Sequence, residues 1–133
     1  MNLGNFTIKA TEAIQQAQQL AFNAGHLNIE TEHLLKALLE ATDSPIDYLL
    51  KKNNVTINLV NTKLDELLSK LPKSSGGEAA QQISRELNNV ILRANSNMKL
   101  FQDEFVTPEH LLIALVQGTD STAKILKDAG LTE

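Results

Sequence analysis

The chain contains no cysteine and no tryptophan, only three prolines and six glycines, and aromatic residues make up 4 % of it. Without cysteine there can be no disulfide framework, no thiolate nucleophile and no cysteine-ligated metal, which fits a reducing compartment such as the cytoplasm. Few aromatic residues and few glycines beside many Leu, Ala, Gln, Glu and Lys favour helix over sheet. No stretch approaches the ~18 consecutive apolar residues that a membrane span needs, and Met1–Phe6 has no charged region followed by an apolar run. A basic block is missing too: acidic and basic residues alternate at a net charge of −4. A surface of that sign repels a phosphate backbone, so neither nucleic acid nor a membrane is an expected partner.

What is present is helical periodicity. Ala10, Ala13, Ile14, Ala17, Ala21 and Ala24 recur on one face behind Thr7, whose hydroxyl suits an N-cap, and Gly25 suits a helix stop. A stripe so rich in alanine predicts close approach of a neighbouring helix. Further helices are expected from Glu30-Thr31-Glu32-His33 onwards, from Ser44-Pro45 (cap and first helical position), and from Thr56 through Val60, Leu64, Leu67, Leu68 and Leu71. Pro72 ends the last of these. Lys73-Ser74-Ser75-Gly76-Gly77 then reads as a linker.

The pattern repeats after the linker. A shift of 77 places residues 91–121 over 14–44 without a gap, and 11 of the 31 pairs are identical. They include Ile14/Ile91, Ala17/Ala94, Glu32-His33-Leu34-Leu35 over Glu109-His110-Leu111-Leu112, and Thr42-Asp43-Ser44 over Thr119-Asp120-Ser121. Ser84 stands over Thr7 as a cap, and Thr107-Pro108 over Glu30-Thr31 is a stronger start for the same helix. With one deletion Gly130 stands over Asn54, the two residue types best suited to a left-handed stop. The chain is an internal duplication. One all-α domain is expected, spanning residues 1–133 as a four-helix repeat (about 7–71), a linker (72–82) and a second copy (about 83–133). Helices should lie near 7–24, 31–41, 45–53, 57–71, 84–101, 108–117 and 122–129. The copies should be related by a pseudo-two-fold axis, with Ala13, Ile14, Ala17 and Val90, Ile91, Ala94 buried near it. The second copy stops before its fourth helix, from which the chain is expected to be part of something longer.

Chemistry-bearing motifs are few. The pair Gly76-Gly77 precedes Glu-Ala-Ala rather than Lys-Ser/Thr, so no nucleotide should bind to this segment. His33 and His110 take matching places beside Glu32 and Glu109. A metal or acid–base site would use them, as would an enzyme with a deep pocket joining both repeats. The better-supported reading of a histidine in a duplicated first turn is packing and hydrogen bonding. Ile8, Phe22, Leu92 and Leu100 lie off the apolar stripes. Either other helices cover them, or some line an exposed groove for an apolar peptide segment.

Phe6-Thr7, the run Glu12-Ala13-Ile14-Gln15 leading to Ala17-Gln18-Gln19-Leu20-Ala21, and the doubled Glu-His-Leu-Leu resemble the Clp N-terminal repeat domain. Leu71-Pro72 with Gly76-Gly77, the segment Asp103–His110, and Ile125–Gly130 resemble its ClpB branch more than its ClpC branch. The resemblance implies the mobile N-terminal domain of a hexameric, ATP-driven disaggregase, with ATP and magnesium held by ATPase modules outside this chain. It implies capture of unfolded or aggregated polypeptide, collaboration with the DnaK chaperone system, and a monomeric isolated domain. Residues matching Thr7, Asp103 and Glu109 handle substrate in the ClpB branch, and Asp103, in the loop before Thr107, is the freest of them. The alternative is the ClpC branch, where the domain of a protease chaperone binds adaptors or phosphorylated arginine, the latter read by carboxylates matching Glu32 and Glu109. Ile8 and Leu92 are the apolar candidates for the same surface.

Overall fold

The computed structural model describes residues 3–41, 45–73 and 82–131. Ser44, the duplicated Thr42-Asp43-Ser44 and the linker residues Ser74-Ser75-Gly76-Gly77 lie outside them. Among the described residues seven helices form: α1 (Ile8–Asn23), α2 (Thr31–Glu40), α3 (Pro45–Lys52), α4 (Ile57–Ser69), α5 (Arg85–Leu100), α6 (Pro108–Val116) and α7 (Ser121–Asp128). Among the described residues there is no sheet, only three isolated backbone bridges. The all-α expectation holds, with helix ends within two residues of those read from the sequence.

Local chemistry explains the helix starts. Thr7 and Ser84 each accept an amide of the first turn, from Ala10 and Leu87, both at 3.1 Å. Asp120 does the same for α7 through Ala123. Thr56 precedes α4 in an extended conformation but makes no side-chain cap bond, contrary to expectation. Ala24 also departs from the stripe. It sits beyond the helix as the C-cap and is exposed, while Ala10, Ala13, Ile14, Ala17 and Ala21 are buried.

Packing follows the duplication. α1 lies on α2 as α5 lies on α6, α1 touches α6 as α5 touches α2, and α3 touches α6 as α7 touches α2. The pair α2–α6 stands between the halves. The stripes on α1 and α5 are buried as expected, but against α2 and α6, not against each other. One apolar cluster runs through both halves, with Leu34, Leu35, Leu111 and Leu112 almost fully enclosed. Each such leucine contributes roughly 1.5–3 kcal/mol by leaving water.

The backbone outside the helices repeats the symmetry. Thr7 N–H donates to Val106 O and Val106 N–H to Asn5 O; Ser84 N–H donates to Ile29 O and Ile29 N–H to Gln82 O, all at 2.9 Å. The entrance to each long helix is thereby fastened to the entrance of the other half's central helix. This cross-tie brings Thr7, from the first half, beside the second half's loop.

Candidate functional site

The helices α2 and α6 begin with the same device. Glu30 N–H donates to His33 Nδ1 at 2.8 Å, and Thr107 N–H donates to His110 Nδ1 at 2.9 Å. A ring nitrogen that accepts leaves the hydrogen on Nε2, so both rings offer Nε2–H as a donor. His33 donates it to His26 Nδ1 at 2.7 Å, and His110 donates it to Asp103 Oδ2 at 2.8 Å. His33 and His110 are thus buried, hydrogen-bonded parts of the architecture.

The surroundings of the two devices differ. In the first half the segment after α4 runs alongside, with Leu27 N–H on Pro72 O and a bridge between His26 and Lys73. His26 is buried, and burial first, then the Lys73 charge, holds its imidazole below the ordinary range. Burial and the neighbouring His26 lower His33 to about 4. In the second half Asp103 and Glu104 are exposed.

There a shallow depression of about 510 Å³ opens, lined by Thr7, Asp103, Glu109, His110, Glu104, Ile113 and two phenylalanines. Those two, Phe101 and Phe105, are 55 % and 52 % exposed. The Phe101 ring stacks on His110, with centroids 6.0 Å apart and planes 24° from parallel. Both rings thus present apolar surface to solvent at the depression.

The structure therefore brings three of the candidate residues, Thr7, Asp103 and Glu109, into one place. Asp103 is not the free carboxylate expected of a loop residue: one oxygen is engaged by His110. Ile8 follows Thr7 and is 80 % exposed, while Leu92 lines a separate depression with Gly4, Asn5, Asn88 and Asn95. Phe22 and Leu100 are exposed as well, so among the described residues no helix covers these off-stripe residues. Glu32 lies elsewhere, on α2 beside Thr31, whose hydroxyl also reaches Asp120 at 2.8 Å. Burial is the main cause that raises the Glu32 carboxyl above its usual range. The enzyme hypothesis needs Glu32 and Glu109 in one deep pocket, and the depression beside Glu109 is shallow and does not include Glu32. Among the described residues no His, Asp and Glu side chains cluster as a metal site would require.

Sequence reasoning missed Phe101 and Phe105. The signal was available: two of the four phenylalanines fall within five residues of each other and flank Asp103.

The Clp repeat (R) N-terminal domain family matches residues 5–129. The chaperone protein ClpB of Porphyromonas gingivalis is 38 % identical over all 133 residues, and that of Vibrio cholerae 37 %. The chain spans 15 % and 16 % of their respective lengths. Among solved structures, the Hsp104 N-terminal domain from Candida albicans superposes with a TM-score of 0.81 at 24 % identity, covering 96 % of this chain and 83 % of that one. A ClpV N-domain in complex with a VipB peptide has a TM-score of 0.78 at 15 % identity, covering 97 % and 84 %. At those identities the structures speak for the fold alone. The chain belongs to the Clp repeat N-terminal domain family, and its relatives are the N-terminal regions of ClpB chaperones.

Proposed function

We propose that the depression around Phe101 and Phe105 captures unfolded or aggregated polypeptide segments, weakly and reversibly, for delivery to an ATP-driven ring whose modules lie outside this chain. The observation that carries it is the pair of exposed phenylalanines beside Thr7, Asp103 and Glu109. An unfolded segment presents apolar side chains that the rings and Ile113 can cover. Glu104 and Glu109 at the rim favour segments carrying Lys or Arg. Weakness suits the role, because a tightly held segment could not be passed on. The ClpV N-domain, which shares the fold, has been solved with a VipB peptide, and this supports peptide capture by the architecture. The surrounding protein is read as a cytoplasmic hexameric disaggregase that binds ATP with magnesium and works with the DnaK system. The isolated domain is read as a monomer without cofactor.

The test is binding of a permanently unfolded protein, such as reduced and alkylated α-lactalbumin, to Phe105→Ser and Phe101→Ser. A partner can cover only the exposed half of each ring, so losing one ring removes about 0.7–1.5 kcal/mol, or roughly three- to tenfold in affinity. The melting temperature should hold, because both rings are half exposed already. Unchanged capture would remove the proposal. Titration with phosphoarginine tests the alternative reading through Glu32 and Glu109: saturable binding lost in Glu109→Gln, without capture of the unfolded protein, would replace capture by that function.

A further inference from the structure

The aromatic loop of the proposed capture surface needs something to hold it, and the duplication shows what does. The shift of 77 that relates the halves places Asp103 over His26. Unlike residues thus do one job. Each accepts the Nε2–H of the histidine three residues inside the following helix's cap, at 2.7 Å in the first half and 2.8 Å in the second. Through Nδ1 the same ring holds the cap amide. The relay fastens the loop before the helix to the helix's first turn.

In the second half the fastened loop is the one that carries the phenylalanines. Phe101 stacks on His110, and Gln102 follows in the left-handed region at φ 59°. A residue with a β-carbon stays there only while its surroundings hold it. Asp103 also anchors its own amide on Met98 O at 2.9 Å, closing the turn after α5.

We propose that Asp103 is a positioning residue of the capture surface. It accepts from His110 and so fixes the Phe101–Phe105 loop in its capturing form, without meeting the captured chain through its charge. The requirement is for a hydrogen-bond acceptor at this place. The first half shows that an uncharged imidazole fills it. The inference rests on the capture reading above.

The test compares Asp103→Ala, Asp103→Asn and Asp103→His in the 133-residue chain, using reduced and alkylated α-lactalbumin as the probe. Asparagine keeps an acceptor oxygen, and histidine reproduces the arrangement of His26. If releasing the loop leaves about one molecule in ten competent, Asp103→Ala weakens capture about tenfold, since apparent affinity scales with the competent fraction. Asp103→Asn and Asp103→His should restore it to within about twofold. Amide exchange should speed up at residues 101–106 in Asp103→Ala alone, with α1–α4 unchanged. Capture in Asp103→Asn as weak as in Asp103→Ala would show that the charge itself meets the probe and overturn the proposal. So would capture by Asp103→Ala equal to wild type while Phe105→Ser has lost it. If Phe105→Ser captures normally, the surface itself is misassigned and the positioning role falls with it.

Discussion

The two halves share a histidine cap and differ in what that cap is tied to. His33 meets a buried neutral partner, His26, under the segment that follows α4; His110 meets an exposed carboxylate, Asp103, beside two exposed phenylalanines. Where the first half has Ala24, Gly25 and Asn28, the second has Phe101, Gln102 and Phe105. Six of the eleven identical positions, Glu32–Leu35, Ala37 and Leu38 with their counterparts, lie on α2 and α6. Between the long helix and the central helix no pair is identical: every residue of 24–31 differs from its counterpart in 101–108. The helices that carry the histidine cap are thus held alike in both halves, while the loop before them differs at every aligned position.

If the frame is shared, equivalent core changes should cost the same. Leu35 and Leu112 are both enclosed, at 0 % and 1 % exposure. Either one replaced by alanine should lose about 2–5 kcal/mol, in a single urea transition, because one cluster spans both halves. Two separate transitions, or a large cost in one half only, would break the comparison.

The next effect is acid lability, and it belongs to the first half. His33 is held at about 4 by burial and by His26, against an ordinary value near 6.5. The unfolded chain therefore binds more protons between those values. The stabilisation is fully present above about pH 6.5 and is lost as pH falls through about 4, by about 2–3 kcal/mol. Burial lowers His26 as well, which acts in the same direction. His26→Asp imports the second half's solution. A carboxylate beside His33 favours its charged form, so the loss between pH 7 and pH 4 should shrink by about half or more. Denaturant titrations at the two pH values measure it, and an undiminished loss would show that another group governs the acid transition.

How much of this was legible in the sequence follows from the same comparison. Periodicity and identical pairs located seven helices, the caps Thr7 and Ser84, and the matched stops Asn54 and Gly130, both at positive φ. These are local or repeated signals, which patterning captures. The relay was not legible, although the alignment that revealed the repeat sets Asp103 over His26. Counting identities ignores a place where two residue types share one acceptor role, and hydrogen-bond partners seven residues apart across a turn leave no periodic trace. From the sequence Asp103 accordingly reads as the freest of the three polar candidates. Phe101 and Phe105 escaped because they stand in a loop, where helical spacing carries no information. Ile8 and Leu92 stand out for the opposite reason: a helix has an apolar face that they visibly do not share, although spacing alone leaves open whether another helix covers them.

The smallest expected effect tests the loop backbone directly. Gly25 and Gln102 occupy equivalent places and the same left-handed conformation, at φ 71° and 59°. A β-carbon added at Gly25 would meet nothing within 4 Å, so the difference between the two residues there is conformational rather than steric. In this region a residue with a β-carbon costs about 1 kcal/mol more than glycine. Gln102→Gly should therefore stabilise the chain by roughly 0.5–1 kcal/mol, less whatever the glycine adds to the entropy of the unfolded chain. Gly25→Gln should destabilise it by a similar amount. Neither change touches the His–His or His–Asp relay, so the acid dependence above should be the same in both variants. Paired measurements of melting temperature at pH 7 would read opposite signs. Equal signs would mean that the two turns, though alike in φ, are held by different forces, and that the second loop has left the shared frame further than its backbone suggests.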